Sequence, residues 1–254
     1  MSPSAPFPGK VVIVTGGSQG VGLGISQAFL KTGAAVVSCA RKPFDGCPAA
    51  TTADERARSM HVQADIRDEA QIDRIIEETL ARFGRLDVLV NNAGGQPPVD
   101  LATASPRFIR AIIDLNLTAP MIFAAKAYRV MVEQESGGNI INISSQASMP
   151  GNGGGSLTPY GAAKAGHNHM TRSLAVAWGK KVRVNCVSLG WVETEAMADL
   201  LLPENKEQWT ATTSGIPVGR MGTPMEIGGI CTFLASDAAS YINGTTIWAD
   251  GGGT

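Results

Sequence analysis

The chain has 254 residues, of which 44% are hydrophobic and 17% are charged, and its formal net charge is -1. This composition argues against a disordered protein, and the near-neutral charge gives no electrostatic reason to expect nucleic acid or an anionic membrane as a partner. The N-terminus shows no basic region followed by an apolar segment, and no apolar run approaches the roughly 20 residues of a membrane-spanning helix. We therefore expect a packed, cytoplasmic protein, and one α/β domain is the default at this length.

Short apolar runs alternate with amphipathic stretches along the whole chain. Val11 to Val14 is the first such run, and it ends in a glycine turn, as a buried parallel strand does before a helix. The predicted strands are 11–14, 35–39, 61–64, 88–90, 139–143, 182–187 and 245–248, and the predicted helices are 21–31, 69–83, 106–132, 160–179 and 224–234. Residues 41–59 are predicted to be a loop with some helix, and Pro120 is a candidate break in the long helix.

No linker or shift in composition divides these elements, and no internal repeat is present. Strands that alternate with helices favour a parallel sheet covered on both faces. The sequence therefore predicts a single-domain, Rossmann-like doubly wound α/β fold over residues 1–254, with a parallel sheet of roughly seven strands flanked by helices.

A glycine turn follows the first predicted strand and opens the first predicted helix. Gly16, Gly20 and Gly22 stand there in GxxxGxG spacing. Glycine lets backbone N–H groups approach a phosphate, and a helix N-terminus attracts negative charge. The pattern indicates a dinucleotide-binding turn, and a purely structural glycine turn is the alternative.

The end of the second predicted strand carries cations where an NAD-binding protein would carry a carboxylate. Arg41 and Lys42 stand at this position, and a forked guanidinium suits the 2′-phosphate of NADP(H). A solvated loop is the alternative. The pair favours NADP(H) over NAD(H).

Tyr160 and Lys164 are four residues apart on a predicted helix and therefore share one face. An ammonium beside a phenol can lower the pKa of that phenol. Thr158 and Pro159 place Tyr160 near the helix start. Taken alone, the pair could equally be a surface or structural contact.

Several motifs in chain order resemble those of the short-chain dehydrogenase/reductase family over nearly the whole chain. They are TGxxxGxG at 15–22, NNAG at 91–94, Leu-Asn-Leu around Asn116, Ser144-Ser145 after a strand, YxxxK at 160–164, and the endings at 216–220 and 250–252. The resemblance implies a nicotinamide-dependent oxidoreductase that interconverts a ketone and a secondary alcohol.

The resemblance also implies a catalytic set of Asn116, Ser145, Tyr160 and Lys164. Tyr160 would be the general acid/base, and Lys164 would bind the nicotinamide ribose and lower the pKa of the phenol. Ser145 would hold the substrate oxygen, and Asn116 would anchor a water that links Lys164 to solvent.

The cofactor contacts that the resemblance implies run from the pyrophosphate to the carboxamide. Asp65 and Ile66 should meet the adenine, and Thr194 the carboxamide. The full set is Gly16, Ser18, Gln19, Gly20, Val21, Gly22, Arg41, Lys42, Asp65, Ile66, Asn92, Ala93, Gly94, Tyr160, Lys164, Val192 and Thr194. A small carbonyl or alcohol substrate and a homotetramer are the implied partners.

The chain departs from the family pattern in two places. The 14 residues between Ser145 and Tyr160 include a glycine-rich loop at 150–155, and this extra length leaves Ser144, Ser148 and Ser156 as rivals for the serine role. Leu189 stands where the family usually has a proline, and we expect the loss of the fixed φ to loosen the turn beside the nicotinamide.

The remaining features bear on substrate and on rival functions. An apolar segment at about 195–215 is predicted to form a lid, which favours a hydrophobic or medium-sized substrate such as a 3-oxoacyl thioester or a steroid-like ketone. His167 and His169 diverge on their helix, and the four cysteines form no CxxC pair, so no metal site is predicted. A cofactor-binding sensor or scaffold without turnover, and a lyase or isomerase, are the alternative functions.

Overall fold

The computed structural model describes residues 7–152, 155–195 and 213–253 and the single positions 197, 207 and 210. The strands are β1 (Val11–Thr15), β2 (Ala35–Ala40), β3 (Ser59–Gln63), β4 (Val88–Asn91), β5 (Gly138–Ser145), β6 (Val182–Leu189) and β7 (Thr246–Ala249). The helices are α1 (Gly20–Lys31), α2 (Ala53–Ala57), α3 (Glu69–Phe83), α4 (Pro106–Ile113), α5 (Ala119–Met131), α6 (Thr158–Trp178) and α7 (Pro224–Ala235).

Local chemistry fixes the ends of several helices. The Asp68 carboxylate accepts a hydrogen bond from the amide of Ala70 at the start of α3, and Gly84 ends that helix with a left-handed φ of 75°. Thr223 and Glu226 form a reciprocal capping box at the start of α7. These ends agree with the predicted helix boundaries to within about two residues.

All seven strands are parallel and lie in the order β3-β2-β1-β4-β5-β6-β7. The chain leaves β1 outward to β2 and β3, and then returns to the other side of β1 to form β4. The strand order therefore reverses between β1 and β4, which is where doubly wound sheets bind nucleotides at the carboxyl ends of their strands. The predicted fold class is confirmed.

Alternate side chains of the strands point to opposite faces of the sheet, and each face carries its own core. Val12 and Val14 face the cluster that includes Phe29 of α1 and Ile227 of α7. Ile13 faces the other cluster, with α3 and α5. The central strands are buried on both faces, as their nearly continuous apolar sequences predict.

Helices α1 and α7 approach each other closely through glycine. A Cβ atom built on Gly228 would lie 2.5 Å from the Cβ of Ala28 and 2.8 Å from the carbonyl oxygen of Gly24. These distances are shorter than van der Waals contact, so only glycine allows this packing. Helix α7 thereby packs directly on the helix that follows the glycine turn after β1.

The segment 41–59 was predicted to be a loop with some helix, and it contains the short helix α2, whose capping box joins Thr52 and Glu55. The long predicted helix does not break at Pro120, because Asp114–Thr118 forms a π-helical turn that connects α4 to α5. Pro120 has no N–H group to give to the carbonyl of Asn116, so a regular α-helical bond cannot form at this point.

The helical stretch Pro106–Met131 satisfies the length and composition criteria for a membrane span, with a mean hydropathy of 1.5 over its 18-residue window. The expectation that no segment approaches a membrane span is therefore wrong for this stretch. Phe123, Ala127 and Met131 are fully buried in the core cluster beside α3. Core helices of this kind meet the same criteria as membrane spans.

The predicted lid at 195–215 lies largely outside the described residues. Leu200, Leu201, Leu202 and Trp209 all belong to the part that is not described.

Candidate active site

The carboxyl ends of β1, β4, β5 and β6 open into a cavity of about 750 Å³. Every residue that the sequence predicted to contact the cofactor lines this cavity, and Ser145 lines it as well. Asn116 lies behind the wall. Residues that are more than 100 positions apart in the sequence therefore meet at one site, at the point where the strand order reverses.

The turn after β1 is closed against the end of β4 by a dense set of hydrogen bonds. Thr15 Oγ1 accepts from the amides of Asn92 and Ala93 at 2.9 Å each, and Asn92 Nδ2 donates to the carbonyl of Thr15 at 2.9 Å. A Cβ atom on Gly22 would collide with the carbonyl oxygen of Gly16. The turn is therefore closely packed, and position 22 has no space for a side chain.

The N-terminus of α1 has the character of an anion site. No side chain caps α1 from the preceding residue, and its first turn contains no acidic residue. Its first N–H groups are therefore available to negative charge, which the helix dipole also attracts. The carboxylate of Glu195 already accepts a hydrogen bond from the amide of Gly20 at 3.0 Å. These features fit the diphosphate of a dinucleotide.

The adenosine end of the cavity carries the two predicted cations. The side chains of Arg41 and Lys42 are exposed, and neither forms an ion pair within the described part of the chain. Their backbone is held from β3, because Gln63 Nε2 donates to the carbonyl of Arg41 at 3.1 Å and His61 Nε2 lies 2.9 Å from the carbonyl of Lys42. The positive charge is free to meet an anionic group on a preorganised loop.

Asp65 lies beside this loop and is paired within the chain. Arg67 donates to both oxygens of the Asp65 carboxylate. This hydrogen bonding lowers the pKa of Asp65, with the charge of Arg41 as a smaller contribution. The carboxylate is thus ionised and oriented at the cavity wall where adenine is expected.

The phenol of Tyr160 lies against Ser145. Burial raises the pKa of Tyr160, and a hydrogen bond with Ser145 opposes that rise. Ser145 Oγ also accepts from the amide of Ala147 at 3.2 Å, which fixes the orientation of the serine. The geometry brings a proton-transfer group and a hydroxyl to one point of the cavity.

Lys164 is almost completely buried, with 2% of its surface exposed. Its Nζ donates to the carbonyl of Ile143 at 2.7 Å and lies 5.7 Å from the centre of the Tyr160 ring. Burial lowers the pKa of the ammonium to about 8. The pKa of the Tyr160 phenol is raised because its burial dominates, and the expectation that Lys164 lowers this pKa stays a prediction.

Asn116 is buried in the π-helical turn behind the NNAG segment. Its side chain accepts from the amide of Gly95 at 2.8 Å and donates to the carbonyls of Gly95 and Ile112 at 3.1 and 2.9 Å. A Cβ atom on Gly94 would lie 2.6 Å from Asn116 Oδ1 and 3.2 Å from Lys164 Nζ. The amide and the ammonium are therefore neighbours across a glycine.

The rival serines have other surroundings. Ser144 Oγ donates to the carbonyl of Lys164 at 3.2 Å, and Ser148 Oγ accepts from Asn168 at 2.9 Å. Ser156 contributes its carbonyl to contacts with the loop after β4. Only Ser145 among the four is placed to hydrogen-bond with the phenol.

The two histidines of α6 lie in different environments. His167 is fully buried, and burial lowers its pKa well below the usual value. His169 Nε2 lies 3.3 Å from Ser173 Oγ. Within the described residues, no group of three or more potential ligand side chains could hold a metal ion.

Sequence reasoning missed several residues that line the cavity. The predicted set did not include Leu115, Arg67 or Glu195. The cavity is also lined by Trp191 and Met197. Arg67 could have been found from its spacing of two from Asp65. No local signal could have shown that Glu195 reaches Gly20, because 175 positions separate them.

Comparison with known proteins places the chain among reductases and dehydrogenases. A family model described as "Enoyl-(Acyl carrier protein) reductase" matches residues 16–254. The chain is 35% identical to an L-fucose dehydrogenase of Oryctolagus cuniculus, over 99% of this chain and 87% of that protein. It is also 35% identical to a 3-oxoacyl-(acyl-carrier-protein) reductase of Chlamydia muridarum, over 96% of each chain. A solved short-chain type dehydrogenase/reductase from Mycobacterium marinum superposes with a TM-score of 0.87 at 31% identity, covering 99% of this chain and 98% of that one.

Proposed function

Because this chain belongs to the short-chain dehydrogenase/reductase family, whose members are oxidoreductases that use a nicotinamide cofactor, we propose that it interconverts a ketone and a secondary alcohol with NADP(H). One observation carries the proposal. Tyr160 and Ser145 open into the same cavity as the glycine turn after β1. A proton-transfer group and a dinucleotide site in one cavity are what hydride transfer to a carbonyl requires.

The nicotinamide supplies or accepts the hydride when the cofactor is bound. Tyr160 exchanges a proton with the substrate oxygen, and its raised pKa keeps the phenol protonated and ready to donate at neutral pH. Ser145 orients that oxygen through its hydroxyl. Lys164 provides an ammonium for the ribose hydroxyls once its bond to Ile143 is exchanged, and Asn116 maintains the position of the backbone beside it.

The preference for NADP(H) rests on Arg41 and Lys42. Their side chains are exposed at the cavity edge, and β2 ends there without a carboxylate to meet a ribose 2′-hydroxyl. A 2′-phosphate would be bound by charge-assisted hydrogen bonds from this pair.

Replacement of Arg41 tests the cofactor preference. We expect Arg41→Ala to raise the Kd of NADPH about 10- to 100-fold and to change that of NADH less than about twofold, because only NADPH carries the phosphate that the guanidinium binds. Titration of protein fluorescence with each cofactor measures both constants. Arg56→Ala, at an exposed position of α2, is the control, and equal effects on NADPH and NADH would disprove the role of Arg41.

The substrate is proposed to be a medium-sized, largely apolar carbonyl compound. Leu115, Trp191 and Met197 provide apolar surface within the cavity. A 3-oxoacyl thioester or a steroid-like ketone would fit this surface, and one of the relatives described above is a 3-oxoacyl reductase. Consumption of NADPH with a panel of sugars, 3-oxoacyl thioesters and ring ketones would identify the class.

Replacement of the tyrosine tests the reaction itself. We expect Tyr160→Phe to lower kcat at least about 1,000-fold while the Kd of NADPH changes less than about threefold, because only the proton-transfer hydroxyl is removed. Single-turnover absorbance at saturating cofactor measures the chemical step. A kcat close to that of the wild type would contradict the assignment.

The measurement of NADPH consumption with the substrate panel also separates the alternative functions. A sensor or scaffold would bind NADPH tightly and consume none with any member of the panel. A lyase or isomerase would convert substrate with no net change in NADPH absorbance. The presence of Tyr160, Ser145 and Lys164 together favours redox turnover over both.

We also propose a cytoplasmic homotetramer. Phe233, Tyr241 and Trp248 expose large apolar side chains near α7 and β7, and exposed apolar surface of this kind is typical of subunit contacts. Sedimentation equilibrium of the wild type and of Tyr241→Glu would test the assembly, since a charge within an interface should shift the protein towards smaller species.

A further inference from the structure

The helix that carries Tyr160 begins without a side-chain cap of its own. Leu157 occupies the N-cap position of α6 and provides no side-chain hydrogen bond. The amides at the second and third helical positions normally need such a partner. Pro159, at the second position, has no N–H group, so the amide of Tyr160 is the one that must be satisfied.

That partner comes from a different part of the chain. Gln96 Oε1 accepts a hydrogen bond from the backbone amide of Tyr160 at 3.1 Å, and Gln96 Nε2 donates to the carbonyl of Ser156 at 2.8 Å. One side chain thus holds both the last loop residues and the first helical turn. Gln96 is partly buried and is not among the residues that line the cavity.

The residues around Gln96 are fixed as well. The preceding residue, Gly95, exchanges two hydrogen bonds with the side chain of Asn116. Beyond it, the amide of Val99 donates to the carbonyl of Ser156 at 3.0 Å. The segment after β4 therefore connects the π-helical turn of Asn116 to the start of α6, and Gln96 is its contact with Tyr160.

We propose that Gln96 is a positioning residue for Tyr160, and that its carbonyl oxygen holds the first turn of α6 in the register that places the phenol against Ser145. This inference rests on the proposed role of Tyr160 as the general acid/base. Displacement of a reacting group by about 1 Å can cost about 100-fold in rate, so a loosened helix start would act on the chemical step.

The first test compares two glutamines that bridge backbone groups in the same way. Gln134, on the loop before β5, is also partly buried. Its side chain accepts from the amide of Leu86 at 2.9 Å and donates to the carbonyl of Leu86 at 2.8 Å. We expect Gln96→Met to lower kcat about 10- to 100-fold with the Kd of NADPH changed less than about twofold. Both variants should lower the thermal midpoint by similar amounts, because each loses one bridge between backbone groups. Gln134→Met, however, should leave kcat within about twofold of the wild type.

The second test restores only the acceptor. Gln96→Glu keeps an oxygen for the amide of Tyr160 and loses the donor to Ser156, and a carboxylate is favourable at a helix N-terminus. We expect it to recover kcat to within about fivefold of the wild type. A Gln96→Met variant with wild-type kcat, or a Gln96→Glu variant as slow as Gln96→Met, would overturn the inference.

The outcome is separable from that of the proposed function. If Tyr160→Phe retains turnover, the acid/base assignment fails and the effect of Gln96 on it is also lost. If Tyr160→Phe is inactive while Gln96→Met turns over normally, the assignment of Tyr160 stands and the positioning role of Gln96 is wrong.

Discussion

The two ends of the cavity are built in different ways. At the proposed phosphate end, the lining groups come from consecutive residues of the turn after β1, closed by hydrogen bonds between Thr15 and the end of β4. At the proposed catalytic end, Asn116, Ser145 and Tyr160 come from three separate elements and are connected by side chains such as Gln96. Substitutions should therefore act through steric collision at the first end and through alignment and charge at the second.

The largest effect is expected from filling the phosphate turn. A Cβ atom on Gly22 would collide with the carbonyl oxygen of Gly16 and lie 2.5 Å from Asn92 Nδ2. Relief of this collision would require the backbone of the turn to shift, at a large cost in free energy. We expect Gly22→Ala to lower the free energy of unfolding by at least about 3 kcal/mol and to abolish binding of dinucleotides. Urea unfolding and cofactor titration measure the two effects.

Gly229 is the matched control for this prediction. It is exposed on α7, and a Cβ atom there would meet nothing within 4 Å. Alanine at this position should be neutral or stabilise by up to about 1 kcal/mol, because it favours the helix. If both variants behaved alike, the turn would not be as closely packed as its contacts indicate.

An effect of intermediate size is expected from the buried ammonium at the catalytic end. The folded-state pKa of Lys164 is about 8, below its unfolded value of 10.5, so the unfolded chain binds more protons between these values. Burial of the charge thus destabilises the fold below pH 8, and this penalty disappears as the pH rises towards 10.5.

Lys164→Met should therefore be more stable than the wild type at pH 7, by up to about 3 kcal/mol. The difference should shrink as the pH rises from about 8 to 10.5. Urea unfolding of both proteins across this range measures it. A difference that is constant with pH would show that the ammonium is not desolvated.

The smallest effect is expected from Glu195, at the boundary of the two ends. Its carboxylate takes the amide of Gly20 that a diphosphate would approach, and it adds like charge beside that diphosphate. We expect Glu195→Gln to tighten NADPH binding about two- to fivefold, with the gain reduced at high salt. Glu193→Gln, two residues earlier, is the control, and a weaker affinity in Glu195→Gln would contradict the competition.

The difference between the two ends also explains how much the sequence could predict. The residues Gly16 to Gly22, and Tyr160 with Lys164, could be predicted to share one site because each motif has a fixed local spacing, and they line one cavity. The parallel, seven-stranded sheet followed from alternating strands and helices. The π-helical turn could have been suspected from Pro120, four residues after Asn116, because the proline removes the amide that the helix requires.

Other features depend on distant partners and leave no local pattern. The bond of Lys164 to the Ile143 carbonyl and the burial that raises the pKa of Tyr160 exist only in the folded chain. Gln96 and Tyr160 are 64 positions apart, and Glu195 and Gly20 are 175 apart. Single-sequence patterns report neighbours along one element and are silent on such pairs.

The seating of α7 on α1 through Gly24 and Gly228 has a consequence for the order of assembly during synthesis. Residue 20 leaves the ribosome about 200 residues before residue 224, which corresponds to about 10 to 40 s at ordinary elongation rates. Throughout that interval the apolar side of α1 lacks the helix that covers it in the complete fold. A nascent chain stalled before Pro224 would therefore be a natural client for chaperones, and release of that chaperone should coincide with emergence of the last helix.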